Sequence, residues 1–109
     1  MNKGGPPAVQ VTENEAIVWF DGEPHSRIKW SEVQEIGIDI TVVKDLGYSE
    51  AFWVINDGAF GSPVDMIVGA DEFKAKMFAF NGFDKGSYEK ALENEESGVE
   101  GYIKCWESS

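Results

Sequence analysis

Nucleophilic catalysis needs a base beside the nucleophile, most often a histidine. The chain has one histidine, His25, and it stands next to Ser26. Neighbouring side chains of an extended backbone point to opposite faces, so His25 does not serve Ser26 and reads as a surface histidine in a turn. The one cysteine, Cys105, lies between Lys104 and Trp106 in a stretch that reads as a strand. It is expected as a buried structural thiol rather than a nucleophile. A zinc site calls for clustered His and Cys, and the chain has one of each, far apart in sequence. Asp57-Gly58 is a turn signal without the Asp-x-Asp-x-Asp-Gly run of a calcium loop. Neither Gly4-Gly5 nor the glycines at 58 and 61 lead into the Lys-Ser/Thr of a phosphate-binding loop. Among 20 carboxylates no pair stands out for acid–base work. The residues therefore predict no catalytic group, no metal and no cofactor, and a protein that is not an enzyme.

What remains is the distribution of charge. Twenty acids against nine Lys and Arg give a formal charge of −11 and a pI near 4.3. Nucleic acid and anionic membranes require a basic surface, so neither is an expected partner. Residues 31–72 hold nine acids and one base, −8 of the total. Asp39 projects from a predicted strand, and Asp45, Glu50 and Asp57 fall in segments that a sheet could gather at one end. Such a cluster repels itself unless a cation or a basic partner relieves it. Tyr48, Phe52, Trp53 and Phe60 lie close by in sequence, and aromatic anchors beside carboxylates suit a surface that covers a basic site. The expected partner-binding set is Asp39, Asp45, Tyr48, Glu50, Asp57 and Phe60, and the expected partner is a basic protein. The other reading of this stretch is a solvated face that serves solubility.

These residues need elements to position them. A 109-residue chain that is 42% apolar and 13% aromatic can build one domain with a real core. Residues 1–7, with two Gly and two Pro, read as a disordered arm, and residues 8–109 as a single α+β domain. No apolar run exceeds five residues, far short of the roughly 20 needed to cross a bilayer, and no leader is expected at the N-terminus. With one cysteine, no internal disulfide is available, which fits a reducing cytoplasm.

Strands are expected around Val9-Gln10-Val11, at 16–20 and at 26–30, with Asp21-Gly22 as a hairpin turn. A helical turn at 30–33, capped by Ser31, leads into the clearest strand, 36–42, where Ile36, Ile38, Ile40 and Val42 share one face. Residues 44–50 read as a polar loop, 51–56 as a short apolar strand and 63–68 as another strand opened by Pro63. The period then changes. Phe73, Met77 and Phe80 mark a helix over 70–80, Asn81-Gly82 stops it, and Ser87 opens a shorter helix near 87–94. Residues 101–106 read as a last strand. The sum is a strongly bent antiparallel sheet of about six or seven strands, covered by one or two C-terminal helices.

The run Ile28-Lys29-Trp30-Ser31-Glu32-Val33-Gln34-Glu35-Ile36, followed by Ala51-Phe52-Trp53-Val54-Ile55, resembles small bacterial proteins with a pleckstrin-homology-like sheet. The likeness spans about residues 10–60 and speaks for fold; a strand at 101–106 departs from that pattern. A small, acidic, single-domain chain also resembles immunity proteins, which neutralise toxins passed between neighbouring cells. That resemblance implies a cytoplasmic, non-enzymatic protein that blocks a basic toxin, with a nuclease the natural target. The alternative is a small adaptor or regulatory domain of pleckstrin-homology-like type without a toxin partner.

Overall fold

The N-terminal third folds as three antiparallel strands whose turns are written in the sequence. In a computed structural model, residues 6–108 are described; residues 1–5 of the expected arm lie outside them. Pro6 and Pro7 are exposed and outside regular structure, and the Pro7 carbonyl accepts the Val68 N–H at 3.3 Å. Strand β1 (Ala8–Val11) pairs with β2 (Glu15–Phe20), and β2 with β3 (Glu23–Lys29). The Thr12 hydroxyl organises the first turn, accepting the Glu15 N–H and donating to the Glu15 carbonyl, both at 3.0 Å. The second turn is Asp21-Gly22, with φ of 55° and 78°, the doubly positive geometry that a two-residue hairpin favours.

A 3-10 turn at Trp30–Glu32 ends this sheet. Ser31 does not cap it. Instead the Glu32 carboxylate accepts the Lys29 N–H at 3.4 Å, and the Trp30 indole donates to the Thr12 carbonyl at 2.9 Å. Beyond it β4 (Glu35–Val43) and β5 (Tyr48–Ile55) form a long hairpin, followed by β6 (Phe60–Pro63). Helices α1 (Ala70–Phe78) and α2 (Lys85–Ser97) come next, and β7 (Gly101–Glu107) returns to pair with β4. The fold is α+β with seven strands among the described residues, but they form two sheets, β1-β2-β3 and β6-β5-β4-β7, not one bent sheet. The tight turn at residue 30 breaks the ladder, because i→i+3 hydrogen bonding cannot continue strand pairing. Both helices lie in the C-terminal half, and β7 follows them where a last strand was expected at 101–106.

Two other expectations shift. The strand placed at 63–68 ends where it was to begin. Pro63 closes β6, the Val64 N–H still donates to the Ala51 carbonyl at 3.0 Å, and the chain then crosses to the other sheet, where the Val68 carbonyl accepts the Val9 N–H at 2.8 Å. The α2 cap is Asp84, whose carboxylate accepts the Ser87 N–H at 3.1 Å and the Ser87 hydroxyl at 3.0 Å. Ser87 therefore sits inside the first turn.

Period two divides the faces of the second sheet. Ile36, Ile38 and Ile40 of β4, Ala51, Trp53 and Ile55 of β5, and Phe60 and Ser62 of β6 are buried inward. Helix α2 packs against β4, β5 and β7, and α1 against β1. Trp53 is the hub, with ring centroids 6.0 Å from Phe73, 6.1 Å from Phe83 and 5.6 Å from a stacked Tyr88. Half-buried Trp30 reaches the same cluster, 6.4 Å from Phe73.

Candidate functional site

The alternate residues of the same strands form the sheet's other face, turned away from the helices. Cross-strand register sets Pro63, Phe52, Asp39 and Tyr102 in one row across β6, β5, β4 and β7. The next row is Gly61, Val54, Gly37 and Lys104. Phe52, Val54, Pro63 and Asp39 are half-buried, and Tyr102 is 43% exposed. Tyr102 donates its hydroxyl to the Glu35 carboxylate at 2.5 Å. Burial and then this hydrogen bond push the phenol well above its usual pKa. Glu50 stands opposite Thr41 on the same face. An apolar stripe thus runs across the sheet with Glu35, Asp39 and Glu50 along it and Lys104 as a base.

At one end of β5 this face meets a cleft of about 400 Å³. Strand β6 pairs with Phe52 to Ile55, and just beyond it the Val64 N–H donates to the Ala51 carbonyl at 3.0 Å, so only the start of β5, before Ala51, has an open edge on that side. Tyr48, Phe52, Pro63 and Met66 supply apolar wall, and Glu50, Asp65 and Glu95 supply carboxylates. The Glu95 carboxyl is raised from its usual range, first by burial and then by Asp65, with the Ala51 N–H pulling the other way. Met66 is 97% exposed.

Of the residues expected to meet a partner, Asp39 and Glu50 share the open face, and Tyr48 and Glu50 line the cleft. Asp45 is exposed in the β4–β5 loop beside them. Asp57 lies elsewhere. It follows β5 at the far end of the hairpin, where it borders a shallow groove with Glu35 and Glu107. The β4–β5 hairpin makes this unavoidable, because an antiparallel strand carries its end back to the start of its neighbour. Neighbouring Asn56 fastens that end, its side-chain oxygen accepting from Gln34 N–H at 2.7 Å and Glu35 N–H at 3.1 Å. Phe60, also expected to meet a partner, is 1% exposed and stacks on Phe73 at 5.8 Å, so it belongs to the core and not to the surface. Its neighbours in sequence read as turn, but it opens β6 on the inward face.

Sequence reasoning missed Glu35, Tyr102, Asp65, Met66 and Glu95. Glu95 carried a signal, because it falls four and seven residues after Ala91 and Tyr88, the buried positions of α2. Nothing in the sequence marks Met66 or joins Tyr102 to Glu35.

His25 lies in β3 rather than in a turn, exposed and 6.3 Å from the Phe20 ring. Cys105 is 2% exposed, and burial, followed by the charge of Asp84, pushes its thiol up to about 11. That suppresses the reactive thiolate. Among the described residues no three His, Cys, Asp or Glu side chains are placed to hold a metal ion, and no helix is long and apolar enough to cross a membrane. No protein-family model matches the chain, and neither a curated protein nor a solved structure matches it. The functional reading therefore rests on geometry and charge.

Proposed function

We propose that the chain is a non-enzymatic binding protein, an immunity protein that neutralises a basic toxin through the acidic outer face of its four-stranded sheet. The observation that carries this reading is the row Phe52, Asp39, Tyr102, with Glu35 and Glu50 beside it, on a face turned away from both helices. Strands of four to nine residues set about 4.8 Å apart present roughly 400 Å² in projection. With a rim of loops, that supplies the centre of an interface of about 800 Å² per partner. The apolar stripe gives desolvated contacts that slow release, and the carboxylates steer and register a cationic partner.

A nuclease is the favoured target. Its active site must attract phosphate and is therefore cationic, so a cluster of carboxylates can occupy it in place of the substrate. The protein works in the cytoplasm on this reading, where the toxin's substrate is found.

The test is protection. Cells that express the toxic domain encoded by the adjacent reading frame should survive when this chain is co-expressed, and should die when Asp39 and Glu50 are both changed to Lys. A chain encoded without any toxin-like neighbour, or one that gives no protection, overturns the reading.

A further inference from the structure

We infer that the cleft at the open edge of β5 is an anchor pocket for one basic side chain, an arginine or a lysine, presented by a protein partner. This deepens the binding reading above by naming what enters and where. The walls suit an alkyl stem. Tyr48, Phe52, Pro63 and Met66 provide apolar and aromatic surface, against which a long cationic side chain packs its methylenes. Tyr48 adds a ring face for the charged head. The head meets three carboxylates, Glu50, Asp65 and Glu95, and no basic residue lines the cleft.

Glu95 is desolvated beside Asp65, with the Ala51 N–H relieving it in part, and a cation entering the cleft would favour its charge further. Met66 places a flexible thioether at the rim, almost wholly exposed, where an adaptable side chain can fold over a guest.

Other occupants fit less well. The carboxylates ring the cleft without converging on a point, since no three of them are placed to hold a metal ion. A second copy of this chain would bring another −11 of like charge. The apolar wall runs through Phe52 and Pro63 directly onto the open sheet face, so a protein docked there can send one side chain over the edge of β5.

The experiment is a nuclear magnetic resonance titration of the isotopically labelled full chain with N-acetyl-arginine amide. The control is N-acetyl-citrulline amide, which keeps the shape and lacks the charge. Shifts should be confined to residues 48–52, Asp65, Met66 and Glu95. Affinity should fall about tenfold for the citrulline probe and for Glu95→Gln, the scale of a lost charge-assisted hydrogen bond. Should Glu95→Gln fold poorly, Asp65→Asn, at an exposed position, must show the same loss. Equal binding of citrulline, equal shifts at Asp57 and Asp45, the same shifts with magnesium alone, or concentration-dependent shifts without probe would each overturn the inference. If arginine fails to bind while the chain still protects cells, the pocket falls and the immunity reading stands. If arginine binds and no toxin is neutralised, the reverse holds.

Discussion

The ring of Tyr102 lies beside Gly37, so closely that a β-carbon at position 37 would collide with it. Gly37 sits in β4 between β5 and β7, where a glycine weakens a strand unless another group needs the space. Tyr102 is that group, and its position lets the hydroxyl reach Glu35. Gly37→Ala should therefore displace the ring, break this hydrogen bond and cost about 1–3 kcal/mol, as overpacking does. In Gly37→Ala with Tyr102→Ala the collision disappears, so the pair should be less destabilised than the sum of the single changes. Denaturant unfolding of the four proteins checks this, and strict additivity would mean that the two residues do not meet.

In the core, Ile38 is fully buried under the helices. Ile38→Ala should cost about 2–5 kcal/mol. Trp53 is equally buried, yet its indole N–H has no protein acceptor among the described residues. Trp53→Phe removes a donor that gains nothing from burial and keeps a ring against Phe73 and Tyr88. It should cost well under the roughly 3–5 kcal/mol expected for Trp53→Ala. Thermal unfolding orders the three variants, and a Phe variant as unstable as the Ala variant would show that the indole N–H finds a partner.

Stretches whose pattern answers to local physics were legible in the sequence. Residues 36–42 alternate strictly, so β4 and its buried face followed, and Asp21-Gly22 named its own turn. The sequence reads Ser87 as the α2 cap where the structure has Asp84, because both are good cap residues three positions apart and sequence alone does not choose between them. Phe60 misled because Gly58 and Gly61 flank it, a turn-rich setting that hid a short edge strand. The site was half legible. Asp39 and Glu50 share a face because alternation places them there, whereas the closing of the cleft by Glu95 depends on where α2 docks, which no local pattern records.

Stability should fall at alkaline pH. In the unfolded chain the Cys105 thiol ionises near 9.0, and in the folded chain at about 11. Between those values the native protein holds a proton that the unfolded chain has lost, so the thiol's contribution is complete below about pH 9 and disappears as pH rises toward 11. Each unit of separation corresponds to about 1.4 kcal/mol. Tyr88 and Tyr102, both raised, extend the decline above pH 10. Cys105→Ala should flatten the early part of the profile in denaturant titrations at successive pH values. A variant with an unchanged profile would assign the decline to the tyrosines alone.

Glu95 behaves in the same sense at acid pH. Its carboxyl is raised by burial and by Asp65, so the folded chain binds that proton more readily than the unfolded one. The resulting stabilisation is present below the unfolded value and is lost as pH rises through the folded one. Once ionised, the carboxylate carries a charge that burial and Asp65 oppose. Glu95→Gln, which resembles the protonated form, should raise the unfolding temperature at neutral pH and change little near pH 4. A lower unfolding temperature at pH 7 would show that the charge is already satisfied within the chain.

The last prediction separates the two ends of the β4–β5 hairpin. Strand β4 has nine residues, so its ends lie roughly 30 Å apart, several times the Debye length of about 8 Å at physiological salt. Asp45 stands at the far end, and Glu50, opposite Thr41, is still roughly 20 Å from the Asp57 end, so both are largely screened from Asp57. If a cationic toxin docks on the outer face with its anchor in the cleft, Asp45→Lys with Glu50→Lys should lower the association rate by about tenfold or more, while Asp57→Lys should change it far less. Dissociation should respond instead to Phe52→Ala and Tyr102→Ala, whose rings form the desolvated centre. Fold stability should barely move in the exposed Asp45 and Asp57 variants, since such charges contribute little. The measurement is association kinetics against the toxic domain at low and high salt. Charge reversal at Asp57 that slows association as much as reversal at Asp45 and Glu50 would place the partner across the whole hairpin rather than at the cleft. Rates indifferent to salt and to every reversal would leave the acidic residues as a solvated face.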